Sequence, residues 1–214
     1  MSDKRTPQEL WQLESALYDR GYTAVCGCDE AGAGPLAGPV YAAAVILPRG
    51  LELPWLNDSK QVTEKRRDIL FDQIKAQAVA WSVASVSASE IDELDILNAR
   101  MKAMQLAIDG LSVPADFALI DGNRDHGSRC AIITEHETVV KGDSRSASIA
   151  AASILAKVSR DRHMLEMDVL YPRYAFAKHK GYGTKAHYDA LDQFGPSPIH
   201  RRTFLVKWEA KRRG

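Results

Sequence analysis

The chain has 214 residues, 45% hydrophobic and 26% charged, with 28 basic and 28 acidic side chains that cancel to a formal charge of zero. That composition suits one sizeable core of an ordinary globular protein, and it excludes low-complexity, disulfide-stapled and membrane-spanning classes. Cys26, Cys28 and Cys130 form no CxxC pair and fit a reducing compartment; with no signal peptide at the N-terminus, the expected location is cytoplasmic. Charge is unevenly spread: from Leu170 to Gly214 ten Lys and Arg face three acids, a local +7. A basic end beside an acidic remainder suits a protein that grips a polyanion with one part and metal with another.

Taken in order, Thr6-Pro7-Gln8-Glu9 is a capping box, and it opens a helix running to Gly21 with Leu10, Trp11, Leu13 and Leu17 on one stripe. Tyr22 to Cys28 reads as a strand and Val40 to Leu47 as its antiparallel partner. Between them lies Cys28-Asp29-Glu30-Ala31-Gly32-Ala33-Gly34-Pro35-Leu36-Ala37-Gly38-Pro39. A polar turn at Asn57-Asp58-Ser59-Lys60 precedes a helix Thr63–Ala76 with Ile69, Leu70 and Ile74 inward, and Val79–Val86 alternates as a half-buried third strand. Ser87-Ala88-Ser89-Glu90, a second capping box, starts a helix with Ile91, Leu94, Leu97, Met101, Met104 and Ile108 in phase. Phe117–Ile120 is a short apolar run of the kind buried on both faces, followed by Asp121. A fifth strand is expected at Thr138–Val140, then Gly142-Asp143 and a long helix from Ser144 or Ser146 to about Leu170. Gly181, Gly183 and Pro196-Ser197-Pro198 divide the remainder into short helical pieces. Three strands followed by alternating helices and strands point to an α/β sheet with helices on both faces.

Asp29, Asp121 and Asp143 all fall just past expected strand ends, where ligands of α/β folds gather. Asp29 and Glu30 would diverge in a continuous strand, but Gly32 and Gly34 allow a bend that brings both toward one point. Like charges held close need a counter-charge, and hard divalent cations prefer oxygen ligands. The same glycines fit a dinucleotide fingerprint, Gly32-Ala33-Gly34-Pro35-Leu36-Ala37 with Glu52 beyond, yet a strand follows where that motif opens a helix. Nicotinamide binding is therefore a rival reading. Asp161, four residues after Lys157 in the long helix, reads as a helix-surface pair, and the histidines show no ligand spacing.

With these positions assembled, the chain resembles the ribonuclease HII family, the bacterial type 2 ribonucleases H. The resemblance is carried by Asp29-Glu30-Ala31-Gly32-x-Gly34-Pro35-Leu36-Ala37-Gly38-Pro39, Leu56–Lys60, Ile91–Leu94, Leu119–Asn123 and Lys141–Ser144. It continues through Ile149–Val158, Arg160-Asp161, His179–Tyr182 and His200–Arg202. It implies a ribonuclease H-like mixed five-stranded sheet flanked by helices, in a single domain. The expected parts are an N-terminal helix (1–21), a catalytic core (about 22–170) and a basic C-terminal helical extension (about 171–214).

The resemblance further implies a Mg2+- or Mn2+-dependent endonuclease with no organic cofactor. Its substrates would be RNA/DNA hybrids and duplex DNA holding single ribonucleotides, cut on the 5′ side to leave 3′-hydroxyl and 5′-phosphate. Asp29, Glu30, Asp121 and Asp143 carry the metal and catalytic roles by that implication. Gly32, Ala33 and Gly34 would read the ribose 2′-OH through their backbone, Tyr182 would pack on the sugar, and Lys60 and Lys180 would contact the backbone of the nucleic acid. The family has Arg where this chain has Ala33, which removes a guanidinium from the loop and makes a binding protein with impaired catalysis a second rival.

Overall fold

A computed structural model of the chain describes residues 6–56 and 62–213. The expected contact residue Lys60 and the rest of Asn57–Lys60 lie outside the described residues. Five strands form one mixed sheet: β1 (Val25–Ala31), β2 (Val40–Ile46), β3 (Ala80–Val86), β4 (Phe117–Asp121) and β5 (His136–Val139), in the order β3-β2-β1-β4-β5. β1 pairs antiparallel with β2 and parallel with β4; β3 is antiparallel to β2, and β5 parallel to β4.

The two faces of the sheet bury different sets of side chains. Cys26 and Cys28 of β1 and Ala42 and Ala44 of β2 pack on Met101, Met104 and Ile108 of α5 (Ile96–Asp109). Ala43 and Val45 point the other way, onto α6 (Ala147–Leu170) and α3 (Glu64–Gln77). This is the period-two alternation of a sheet covered on both sides. α6 is the central helix, and Ala150, Ala151 and Ala152 are wholly buried where it meets the sheet. At Gly27 the approach is so close that an added Cβ would stand 2.1 Å from the carbonyl carbon of Ser148 and 2.2 Å from the nitrogen of Ile149.

The N-terminal segment holds the start of α6. α1 (Pro7–Leu10) opens with the expected Thr6 capping box, but the helix breaks at Trp11 and resumes as α2 (Gln12–Asp19). Glu14 of α2 is buried, and its Oε1 accepts from Ser146 Oγ, Ser148 N and Ser148 Oγ at 2.6, 2.9 and 2.6 Å. A carboxylate at a helix N-terminus satisfies unpaired amides and complements the helix dipole.

Other boundaries also differ from expectation. β1 runs on through Asp29 and Glu30 to Ala31, because the ladder with β2 continues to the Ala31–Tyr41 pair. The single helix expected after Ser87 is two, α4 (Ala88–Leu94) and α5, separated at Asp95. Asp95 takes φ 74° and caps α5 by accepting from the Asn98 amide at 2.9 Å. In α3, Leu70 and Ile74 are buried, but Ile69 is exposed and Phe71 takes the inward position. The chain after α6 forms α7 (Phe176–His179), α8 (Lys185–Phe194) and α9 (Arg202–Arg213), packed through Phe176, Leu191 and Leu205 against Leu36 and Ala37 of the glycine loop.

Because Gly27 faces backbone rather than a yielding side chain, Gly27→Ala is expected to destabilise the fold by about 3 kcal/mol or more, read as a drop in the urea midpoint at unchanged slope.

Candidate active site

The acids meet at one end of the central strands. Asp29 and Glu30 sit in adjacent positions of β1 and emerge on opposite faces of it, since no bend precedes Ala31. Asp29 lies on the α6 side, where its carboxylate accepts a hydrogen bond from Ser153. Glu30 lies on the α5 side, where Oε1 meets Arg100 Nη2 at 2.6 Å. Asp121 is the last residue of β4, next to β1, and its Oδ1 accepts from the Gly142 amide at 2.7 Å and the Asp143 amide at 3.4 Å. Asp143 is buried in the short 3-10 turn Gly142–Ser144 that follows β5.

Burial, the Glu30 charge and the Asp121 charge together push the Asp29 carboxyl well above the usual carboxylate range. Burial also raises Glu30, against the lowering influence of Arg100. The acids are neighbours rather than a closed cage: among the described residues, no three His, Cys, Asp or Glu side chains are gathered at metal-ligand geometry. Turning Glu30 toward a cation is the electrostatic relief open to it beside two other carboxylates.

A cleft of about 330 Å³ opens beside them, lined by Asp29, Glu30, Asp121, the Gly32–Gly34 loop, Ser153, Lys157, Arg160 and Tyr182. Gly32 takes φ +98°, and a Cβ there would stand 2.0 Å from Arg160 Nε. Tyr182 is half exposed at the cleft edge, with the Arg160 guanidinium 5.9 Å from its ring centre. The structure thus brings Asp29, Glu30, Asp121, Gly32, Ala33, Gly34 and Tyr182 to one cleft, with Asp143 joined through Asp121. Lys180 is not among the lining residues. Its ammonium donates to the Ala177 carbonyl, and its own carbonyl accepts from Arg160 Nη2 at 3.1 Å.

Four cleft-side cations and braces were not assigned roles from sequence. Arg160 and Arg201 lie in recognised motifs but carry no signal for burial; Lys157 was read only as the partner of Asp161, which it is, at 2.8 Å. Arg100 lies in a helix with no motif at all, so only proximity to Glu30 marks it.

The model of the ribonuclease HII family matches residues 26–207. The chain belongs to the ribonuclease HII family. Its relative in Endomicrobium trichonymphae, a ribonuclease HII, is 53% identical over 196 residues, which cover 91% of each chain. Among solved structures, the ribonuclease H2 of Pyrococcus horikoshii OT3 superposes with a TM-score of 0.73 at 25% identity, covering 89% of this chain and 99% of that one. Bst-RNase HIII, solved in complex with Mn2+, shares the fold with a TM-score of 0.56 at 18% identity, covering 88% and 67%. Membership of the ribonuclease HII family makes the chain a ribonuclease H enzyme. The dinucleotide reading falls with it: the loop after Gly32 leads into β2, not into a helix that could hold a pyrophosphate.

Tyr182 is held from behind by a chain of neutral histidines. His187 Nδ1 lies 3.0 Å from the Tyr182 carbonyl, which can only accept, so His187 Nε2 must in turn accept from His200 Nε2 at 2.9 Å. His200 Nδ1 is then the acceptor for the Ser197 amide at 2.9 Å. Burial lowers the His187 pKa to about 4 and that of His200 to about 3. A pKa depressed in the folded state means stability that is present above the unfolded value near 6.5 and is lost as pH falls toward the folded values. Melting temperature is therefore expected to drop between pH 6.5 and 4, and His200→Gln to show a shallower drop over that window in parallel thermal melts.

Proposed function

We propose that the protein hydrolyses the RNA strand of RNA/DNA hybrids and cuts on the 5′ side of ribonucleotides embedded in duplex DNA, leaving 3′-hydroxyl and 5′-phosphate ends. One observation carries this reading: the acids Asp29, Glu30 and Asp121 share a single cleft with the Gly32–Gly34 loop and Tyr182. Chemistry and ribose recognition then fall within the reach of one nucleotide. Residues 22–170 would form the catalytic core and 171–214 the basic extension of the same domain, with ribonucleotide removal in the cytoplasm as its task. None of the described helices is long and apolar enough to cross a membrane.

The donor set fits Mg2+ or Mn2+. Its ligands are hard oxygens, and Glu30 Oε2 is buried without a hydrogen-bond partner, an oxygen that a cation would satisfy. Asp29, Glu30 and Asp121 would hold the metal, with Asp143 completing the cluster beside Asp121. When bound, a metal pair lowers the pKa of the attacking water and stabilises the departing 3′-oxygen. The remaining work belongs to the chain itself. Lys157 and Arg160 of α6 place positive charge in the wall of the same cleft, where a phosphodiester would lie. Ser153 fixes the Asp29 carboxylate by hydrogen bonding to it. Phosphate contacts of this kind position the strand without reading bases, so cleavage is expected to be independent of sequence and sensitive to salt.

Ala33 favours one alternative, a protein that binds such duplexes with little turnover, because the loop lacks the family's guanidinium. A labelled duplex with one ribonucleotide, incubated with Mg2+ or Mn2+, separates the two readings: cleavage at that site supports the enzyme, and retention without a cut supports the binder. Asp29→Asn and Asp121→Asn are expected to lower the cleavage rate about a thousandfold or more with the melting temperature kept, and near-normal turnover in either would remove that residue from the chemistry.

Arg100 offers a second check. Its guanidinium neutralises Glu30 where a metal would, and its buried Nε lacks a partner, so the pair is held by one contact. Arg100→Met is expected to lower the melting temperature without metal, because it strands a buried carboxylate. Adding Mn2+ should then raise the melting temperature further than in the unmodified protein, as read by scanning fluorimetry.

A further inference from the structure

The carbonyls of the glycine loop are turned away from the cleft and onto one side chain. Arg201 Nη2 donates to the Gly32 carbonyl at 2.6 Å and Nη1 to the Ala33 carbonyl at 2.9 Å, while Nε donates to the Gly38 carbonyl at 2.9 Å. Arg201 is wholly buried and forms no ion pair among the described residues. Burial and the nearby Arg160 charge bring its pKa down to about 9. A guanidinium buried without a carboxylate in contact is costly, and here all three of its hydrogen bonds go to backbone carbonyls, with the Asp92 charge acting on it from a distance. Arg160 braces the other side of the loop, with Nε on the Pro39 carbonyl and Nη2 on the Ala37 carbonyl, both at 3.2 Å.

A trans peptide carries its C=O and N–H on opposite edges, and the chain has no cis bond among the described residues. With the Gly32 and Ala33 oxygens pointing inward to Arg201, the amides that follow them, those of Ala33 and Gly34, point outward. Outward here is the cleft, which both residues line together with Tyr182. Two successive amides facing one side form a small donor concavity for an oxygen atom. Building on the function proposed above, in which the Gly32–Gly34 backbone reads the ribose 2′-OH as the family resemblance implies, we propose that Arg201 is a positioning residue for that reading: its fork on the Gly32 and Ala33 carbonyls turns the Ala33 and Gly34 amides into the cleft. DNA offers no oxygen at that point, so both donors would be desolvated without a partner, and that loss is the source of discrimination. Because the donors are backbone groups, alanine at position 33 suffices for them.

A phosphate oxygen has the same acceptor chemistry, and the test separates the two. Binding is measured by fluorescence anisotropy for a duplex with one ribonucleotide and for the same duplex all in DNA, with Ca2+ in place of Mg2+ and a control lane to confirm that neither is cut. Arg201→Lys, which keeps a cation but loses the fork, is expected to lower the ratio of the two Kd values about tenfold and to leave affinity for the all-DNA duplex unchanged. Equal weakening on both duplexes, or an unchanged ratio in a folded variant, would overturn the proposal. The unmodified protein supplies an arm that needs no substitution: the amide proton resonances of Ala33 and Gly34 should shift on adding the ribonucleotide duplex and not on adding the all-DNA one. Silence of both amides would equally overturn it. Absence of any discrimination by the unmodified protein would instead sink the proposed function, and the inference with it.

Discussion

The contact on which the rest depends is the seating of α6 on β1 at Gly27, where backbone meets backbone with no room for a methyl group. That closeness fixes how far along β1 each turn of α6 falls. Ser153, Lys157 and Arg160 follow at helical spacing on one side of the helix, and all three reach the cleft at the end of β1. The N-terminus of the same helix follows directly on the Asp143 turn, whose amides hold Asp121. A looser helix, seated on a larger residue at position 27, would carry these groups away from Asp29 together.

Electrostatics set a second constraint. Three carboxylates near one strand end repel one another, and the protein meets this without a closed cage. Asp29 is held high in pKa and bonded to Ser153, Glu30 is turned to Arg100, and Asp121 rests on backbone amides. Two buried arginines, Arg160 and Arg201, hydrogen-bond to backbone carbonyls around the glycine loop rather than to acids. Positive charge thus lies under the glycine loop and along α6, and negative charge lies at the strand ends. A phosphodiester entering the cleft would meet both.

The C-terminal segment is part of this arrangement and not an appendage. His200 and Arg201, adjacent in sequence, act in two directions: one reaches the Tyr182 carbonyl through His187, and the other reaches the Gly32 and Ala33 carbonyls. The main chain reinforces the link, with the Arg201 amide donating to Leu36 and the Leu36 amide to Gly181. Loop and tyrosine are therefore registered against each other by the last fifth of the chain.

Much of this was legible in the residues themselves. Period-two alternation placed β3 and the continuous apolar run placed β4, and capping boxes at Thr6 and Ser87 marked helix starts. Acids following apolar runs marked one end of the sheet, because such a pattern depends only on local chemistry and on the order of elements. What sequence missed were interruptions with no local cost signal, at Trp11, which keeps an ordinary helical angle, and at Asp95, whose side-chain cap accompanies a positive φ. It also ended the first strand at Cys28, whereas pairing with β2 carries that strand on through both acids to Ala31. The type and order of the main elements, and the placing of acids at or just past strand ends, were thus determined by the sequence alone. The division of Asp29 and Glu30 between two faces, the pairing of Glu30 with Arg100 and the burial of Arg201 under the loop were decided only by tertiary structure, since each joins groups far apart along the chain through space that no local pattern encodes.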